Sequence, residues 1–436
     1  MQEELSVTDL QSAWPLLVPN ERLEAFRLLA QAYADDFFLS LTARDQAELL
    51  LTLPEGERRL WMRLLAPDDA ADVVQEAPPA ERDGLLSLLD NTTHTEVTAL
   101  LSYAEDEAGG LMNPRYARVR PDMSVDEALS YLRRQARERL ETIYYAYVLD
   151  AQQHLLGVVS FRELFAAPGD KKVREIMSTD VVTVSDQMKQ EAVSQLFAYH
   201  DLIALPVVDE DGHMKGIVTA DDIVDVVQEE ATEDIHKIGG MEALDGPYLQ
   251  IGFLHMVKKR AGWLSALFVG EMLTATAMGY YEHAIERAVV LALFIPLIIS
   301  SGGNSGSQAS TLVIRAMALG EVRLRDWWRV VRREIFAGFV LGTILGIIGL
   351  ARILLWPTRV QVYGEHYLLV GFTVAVSLVG VVLFGTVAGS MLPFLLRRMG
   401  FDPASASAPF VATLVDVSGL IIYFTVASFI LYGVLL

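Results

Sequence analysis

Residues 409–436 read PFVATLVDVSGLIIYFTVASFILYGVLL, an apolar run whose one charged side chain is Asp416. A helix needs about 20 residues, at 1.5 Å each, to cross about 30 Å of hydrocarbon, so this stretch is long enough to span a bilayer. Moving an ionised carboxylate into hydrocarbon costs several kcal/mol. Asp416 is therefore expected to face a protein interior or a watery path, and an ion route is the default reading. The plainer reading is a carboxylate paired with an arginine of another membrane helix. Ala412 and Thr413 lie one turn before Asp416 and Gly419 one turn after, so one helix face presents small groups around the acid. Such a face suits a large hydrated object. Mg2+ gives up its waters reluctantly and is held through them by one or two carboxylates plus carbonyls. Pro409 has no amide hydrogen, which predicts that the carbonyl of Ser405 loses its helical partner.

Four further apolar spans precede this one, giving approximately Trp263–Tyr281, Ala288–Leu319, Ile335–Leu355, Tyr367–Leu396 and Ala406 onwards. Inside the second, SSGGNSGSQAST (300–311) is small and polar at membrane depth. Gly302 and Gly306, four apart, let two helices approach closely. Asn304, the hydroxyls and freed carbonyls also suit the lining of a wet path. Arg323, Arg325, Arg329, Arg332, Arg333, Arg397 and Arg398 flank the spans on one side, and Arg287, Arg352 and Arg359 on the other. This asymmetry puts the soluble half in the cytoplasm and the C-terminus outside a cell membrane. One carboxylate in five spans is too few for a complete path, whereas a two-fold dimer brings two Asp416 residues together and matches a divalent charge.

Charge is divided unevenly along the chain. Of 436 residues 52% are hydrophobic, and the mean hydropathy is +0.32. Up to Lys258 there are 47 Asp and Glu against 22 Lys and Arg, net −25, whereas the remainder is net +4. So acidic a half repels nucleic acid and concentrates cations, divalent ones above all. There is no cysteine, which excludes disulfides and thiolate metal sites. MQEELSVTDLQSAW lacks the basic start and apolar core of a secretory signal, and no GxxxxGK[ST] loop is present, which argues against an ATP-driven pump.

From about Ser6 to Asp106 apolar residues recur with i, i+3, i+4 spacing between short Pro-containing breaks, predicting an all-α domain. The texture then becomes a repeat. YYAYVLDAQQHLLGVVSFREL (from Tyr144) and ALPVVDEDGHMKGIVTADDI (from Ala204) align 59 residues apart, each preceded by a matching strand and helix. These are duplicated βαββα units. They resemble tandem cystathionine β-synthase (CBS) domains, regulatory modules that pair and often bind adenine nucleotides. Gly216, Thr219 and Asp222 in GIVTADD resemble a ribose and phosphate contact pattern, so ATP or AMP is a candidate ligand. Thr219 as the cap of the following helix reads equally well.

Several further stretches carry a closer resemblance: FIPLIISSGGNSGSQASTLVIRAMALGEV (294–322), DWWRVVRRE (326–334), SMLPFLLRRMGFDP (390–403) and PFVATLVDVSGLIIYF (409–424). In the soluble half EDEAGGLMNP (105–114), ETIYYAYVLD (141–150) and ATEDIHK (231–237) join them. Together they are similar to the MgtE family of magnesium channels. The resemblance implies a homodimer of multidomain subunits. Each would carry an all-α N domain (1–108), an α/β tandem CBS pair (109–172 and 173–232), a connecting plug helix (233–260) and five transmembrane helices (261–436). It implies a hydrated pore ion at Asp416, with Ala412, Ala408, Thr413 and Asn304 around it. Ala408 stands where some members carry Asn, so only its carbonyl can contribute.

The resemblance also implies a cytosolic Mg2+ sensor made of Asp68, Asp72, Glu191, Asp201, Asp222, Asp225, Glu233 and Asp234. On spacing alone, Asp222 and Asp225 share a helix face, which a solvated acidic surface would also produce. The expected function is passive, potential-driven Mg2+ uptake across a lipid bilayer, gated by cytosolic Mg2+ as both substrate and regulator, with no enzymatic activity. The alternatives are a CBS-regulated anion channel or other secondary transporter, and a membrane-anchored nucleotide sensor.

Overall fold

The computed structural model describes residues 6–434, apart from 137–139, 143, 245, 247 and 250 and the side chains of residues 31 and 287. Arg287 in the flanking-charge reading, Ile143 in ETIYYAYVLD, and Asp245, Pro247 and Gln250 in the connector thus lie outside the described residues. The chain forms two compact units, one ending at Gln228 and the other starting at Glu229.

The first unit begins with short helices from Val7 to Leu100. Prolines sit in the first turn of the helices Pro19–Leu28, Pro67–Glu76 and Pro79–Leu86, where a missing N–H costs nothing. Trp14, Phe26, Phe37, Phe38 and Trp61 pack edge-on and tilted in the centre of this domain. The same apolar cluster continues into Val184, Leu205, Val207, Val218 and Ile223, so the helical domain and the second βαββα unit share one core.

Each repeat builds a three-stranded sheet: β1 (Arg118–Val119), β2 (Tyr145–Leu149) and β3 (Leu155–Ser160), then β4 (Val184–Ser185), β5 (Ala204–Val208) and β6 (Met214–Thr219). In both, the first strand pairs parallel with the second, which pairs antiparallel with the third. Tyr145 faces Ser160 and Ala204 faces Thr219, with a bulge at Val148/Leu149 and again at Val207/Val208. The 59-residue duplication is therefore kept down to the register.

The helix Ala220–Ile238 follows β6. The segment 233–260, read from sequence as one connecting helix, is instead the end of this helix, a loop and the start of the next. Gly240 takes φ +73°, the left-handed conformation that ends helices, and the next helix opens only at Phe253. The first membrane helix thus begins ten residues before Trp263.

Among the described residues five helices are long and apolar enough to cross a membrane: Phe253–Tyr280, Val289–Ala318, Leu324–Leu354, Tyr367–Arg398 and Ala408–Leu431. They are called the first to fifth spans below. A Cβ on Gly302 would lie 2.5 Å from Val381, and one on Gly306 2.8 Å from the carbonyl oxygen of Gly385. A side chain on Gly389 would overlap the carbonyl of Gly306. The packing role of this glycine pair is what the structure shows: the second and fourth spans touch backbone to backbone. The 300–311 stretch lies within the unbroken helix Ile295–Ala318, so it frees no carbonyl there, contrary to the expectation.

Candidate functional site: two carboxylate centres

The membrane centre starts from Asp416, half-buried on the fifth span. Its neighbour is Glu271 of the first span, whose carboxyl is within hydrogen-bonding reach. Asp416 is therefore not solitary, as its own helix suggested, and among the described residues no arginine pairs with it. Glu271 is plain in FVGEMLTATA, but attention to one span's sequence cannot show which neighbour faces it. Two carboxyl groups this close repel unless a cation or a shared proton sits with them.

Small residues bring the first and second spans against the fifth. A Cβ on Gly270 would lie 2.8 Å from the Thr413 methyl, and one on Gly303 3.5 Å from Ala412. Thr413 Oγ1 donates to the carbonyl of Pro409 (3.1 Å). Asn304 lies on the exposed side of its helix, with Nδ2 3.5 Å from Ser300 Oγ. Glycines on one face and Asn304 on the other explain how one stretch packs and also presents an amide.

Pro409 acts differently from the expectation. The fifth span begins at Ala408, with Pro409 in its first turn and buried Ser407 as N-cap, accepting from the Phe410 N–H (3.3 Å). Ser405 belongs to a short 3-10 turn outside the span, so its carbonyl loses no helical partner there. The carbonyls at this helix start are instead met by the second span. Ser310 Oγ donates to Ala406 O (2.8 Å) and Ser307 Oγ to Ala408 O (3.1 Å), the latter a carbonyl that also belongs to the first turn of the helix.

The connector reaches this same helix start. Trp263 Nε1 donates to Ser407 Oγ (3.2 Å), and a Cβ on Gly240 would lie 3.0 Å from both Trp263 and Pro409. Lys237 Nζ donates to Asp402 Oδ2 (2.6 Å) and also pairs with Glu233. Ile238 packs beside Ile314, Ala404 and Ala406.

The second centre lies in the first unit. Asn113 Nδ2 donates to Asp68 Oδ1 (3.0 Å) and Glu141 Oε2 (2.6 Å), while Asp69, Asp221 and Asp222 stand close enough to raise Glu141's pKa. Asp68, 7% exposed, is pushed well above the usual carboxylate range by burial and then by Asp69, Asp222 and Glu141. Burial, Asp222, Asp69 and Asp221 push Glu141 up to about 7, with Arg115 opposing. Asp222 is pushed up to about 6, chiefly by burial and also by Asp221 and Asp69, against hydrogen bonds from Thr219. Asp69 is raised by burial and by Asp221 and Asp225. Carboxyls so placed either keep protons or gather a cation.

Of the sensor residues named from sequence, Asp68, Asp222 and Asp225 are brought into this cluster. Asp69, Glu141, Asp221 and Asn113 were missed, although Asn113 and Glu141 lie in quoted motifs. Asp72 shares the helix Pro67–Glu76 with Asp68. Glu191 and Asp201 mark opposite ends of the helix Gln190–His200, about 15 Å apart, so they cannot grip one ion within a chain. Glu233 and Asp234 belong to the second unit, Glu233 in the Lys237 ion pair. Among the described residues no three His, Asp or Glu side chains converge tightly enough to cage a bare ion.

Thr219 Oγ1 donates to Asp222 Oδ2 (2.6 Å), and the Thr219 N–H donates to the same oxygen (3.3 Å). Asp222, in the first turn of the helix, thus reaches back to hold both the N–H and the hydroxyl of Thr219. Gly216 lies against Met112 and Asn113, its hypothetical Cβ 2.8 Å from Asn113 O.

Residues 295–426 match the family described as "Divalent cation transporter", 5–106 the "MgtE intracellular N domain", and 108–170 and 173–229 the "CBS domain". The magnesium transporter MgtE of Thermus thermophilus is 42% identical over 99% of this chain and 94% of its own length. That of Enterococcus faecalis is 34% identical over 76% of this chain and 71% of its own. A crystal structure of the cytosolic domain of the Mg2+ channel MgtE in complex with ATP is 44% identical, covers 51% of this chain and 91% of its own, and gives a TM-score of 0.48. The relatives that match three quarters of this chain or more are named as magnesium transporters, which are not enzymes. Five spans, a duplicated CBS pair and full-length likeness agree: the chain belongs to the MgtE family.

Proposed function

We propose that this protein is a homodimeric Mg2+ channel of the cell membrane. The carrying observation is the Glu271–Asp416 pair, two carboxyls from facing membrane helices with small residues around them. A dication matches their combined charge, and the small residues leave room for its water shell, which Mg2+ keeps where larger ions shed theirs. Ala408 O, Ala412, Thr413 and Asn304 line the approach in this reading. An anion path is disfavoured, since both charges of this centre are negative. A potential of 100 mV drives a divalent ion inward by about 4.6 kcal/mol, so entry is passive.

The acidic cluster supplies feedback. With the N and CBS domains in the cytoplasm and the C-terminus outside, a rise in cytosolic Mg2+ fills the sites at Asp68, Asp72, Asp222 and Asp225. Glu191, Asp201, Glu233 and Asp234 contribute further carboxylates. Relief of their mutual repulsion closes the domains, and the helix that ends at Ile238 carries this to the fifth span. The support for that last step is local: Lys237 to Asp402, and Trp263 to the cap of the Asp416 helix. The CBS pair would take ATP or AMP near Gly216, Thr219 and Asp222.

The test is Mg2+ flux into proteoliposomes under a set potential. Wild type should conduct and be inhibited by Mg2+ on the side of the soluble domains. Normal flux through Asp416→Ala would reject the pore assignment, and unchanged inhibition after removal of residues before the connector would reject the sensor.

A further inference from the structure

One end of the third span carries a basic patch that neither carboxylate centre uses. The third and fourth spans run antiparallel: a Cβ on Gly338 would meet Leu383 and Thr386, one on Gly342 would meet Val379, and one on Gly346 would meet Ala375. Val330 packs in one apolar cluster with Met391 and Phe394, so the start of the third span lies level with the end of the fourth. This brings Arg329, Arg332 and Arg333 to the same end as Arg397 and Arg398, and all five are exposed. Residues 321–334 and 397–398 together hold seven arginines against Glu321, Asp326 and Glu334, a net charge of +4.

Internal pairing neutralises little of this. Arg329 Nη1 lies 3.3 Å from Asp326 Oδ1, but among the described residues Arg332, Arg333, Arg397 and Arg398 form no ion pair. The same face then turns apolar. Trp328, Arg332, Ile335 and Phe339 fall within about 60° of one another around the helix, at 100° per residue, and all are exposed. Trp327, edge-on to Trp328 at 5.6 Å, and Phe336 widen this stripe and are exposed as well. Flanking arginines and interfacial tryptophans set the orientation of a span. That role alone leaves four guanidiniums without a counter-charge beside an uncovered apolar stripe.

We propose that this face docks an anionic phospholipid, its headgroup phosphate held by Arg332 and Arg333 of the third span with Arg397 and Arg398 of the fourth, and its acyl chains laid along Ile335, Phe336 and Phe339. The occupant must be negative at one end and apolar about one helical turn further on, which is the build of a phospholipid. Guanidinium matches phosphate oxygens with paired hydrogen bonds, and its flexible stem lets the charge stay at headgroup level while the chain beneath is covered. An acidic protein surface would answer the charge but would leave Ile335, Phe336 and Phe339 bare, and free phosphate would do the same.

The test is tryptophan quenching of the full-length protein in vesicles of phosphatidylglycerol and phosphatidylcholine at one fixed composition, with bromine on the chains of either one lipid or the other. The signal of Trp327 and Trp328 is the difference between wild type and W327F/W328F. Per mole of labelled lipid, brominated phosphatidylglycerol should quench it about fivefold or more better than brominated phosphatidylcholine. R332Q/R333Q/R397Q/R398Q should bring that ratio to about one while both lipids still quench. Inorganic phosphate at constant ionic strength should leave the wild-type preference in place. Equal quenching by the two labelled lipids in wild type, which needs no variant of the patch to fold, would overturn the site. So would an unchanged preference in the quadruple variant, or a preference abolished by free phosphate. Quenching by neither lipid would show the face covered by protein, the acidic half of the chain or a second copy, and would overturn it too.

Discussion

The two carboxylate centres differ in how they are assembled. The membrane pair, Glu271 and Asp416, rests on two helices set close by small residues. The soluble cluster gathers Asp68, Asp69, Glu141, Asp221 and Asp222 from three separate stretches, with Asn113 bridging Asp68 and Glu141 and Arg115 opposing. A few acids on parallel faces suit an ion that must leave again. Many acids drawn from separate elements suit one whose residence changes how those elements fit together.

The largest expected effect breaks the membrane side. Asp416→Ala should lower Mg2+ flux by about 100-fold or more, and Glu271→Gln by about tenfold, with the assembled protein intact on size exclusion. Normal flux through both variants would make the pair a packing detail. Next comes Gly389→Leu, which should destabilise the membrane unit by about 1–3 kcal/mol or more through collision with Gly306, read as lower thermal stability in detergent. A neutral result would deny the backbone contact.

The soluble side is sharpened by pH. Glu141 and Asp222 are raised to about 7 and about 6, so the folded state resists their ionisation more than the unfolded chain does. Their contribution is complete below about pH 4 and is lost as pH rises to about 7. Melting of the full-length protein in chelator should therefore fall across that window. For Glu141 the change is of the order of 3 kcal/mol at most, before solvent screening. Mg2+ should restore what is lost, and Glu141→Gln should flatten the curve. A rise in stability with pH in chelator would contradict the cluster. The smallest effect is Lys237→Met, which removes a half-buried ion pair of about 1 kcal/mol and should raise flux in inhibiting Mg2+ by roughly fivefold.

The architecture was legible because it is written in periodicity. Apolar runs long enough to cross a membrane, a 59-residue repeat and a Pro-punctuated helical region each depend on neighbours in sequence. The sites were legible only in part. Asp416 stood out against its own helix, but Glu271, 145 positions earlier, becomes its partner only when the first and fifth spans pack. Asn113 joins Asp68 and Glu141 across gaps of 45 and 28 residues. Pro409 reads as a helix breaker until Ser407 proves to be the cap, which turns it into an ordinary first-turn proline. The connector misread is a turn of two glycines, where conformation overrides the amphipathic pattern on either side.

The glycine contact between the second and fourth spans carries a mechanical consequence. Where main chain rests on main chain there are no rotamers to exchange, and any sliding drives carbonyls into Cα atoms. That pair behaves as a fixed spine. In the proposed channel, opening and shutting would then fall to the first and fifth spans, whose mutual fit depends on the Thr413 methyl against Gly270 and on two acids.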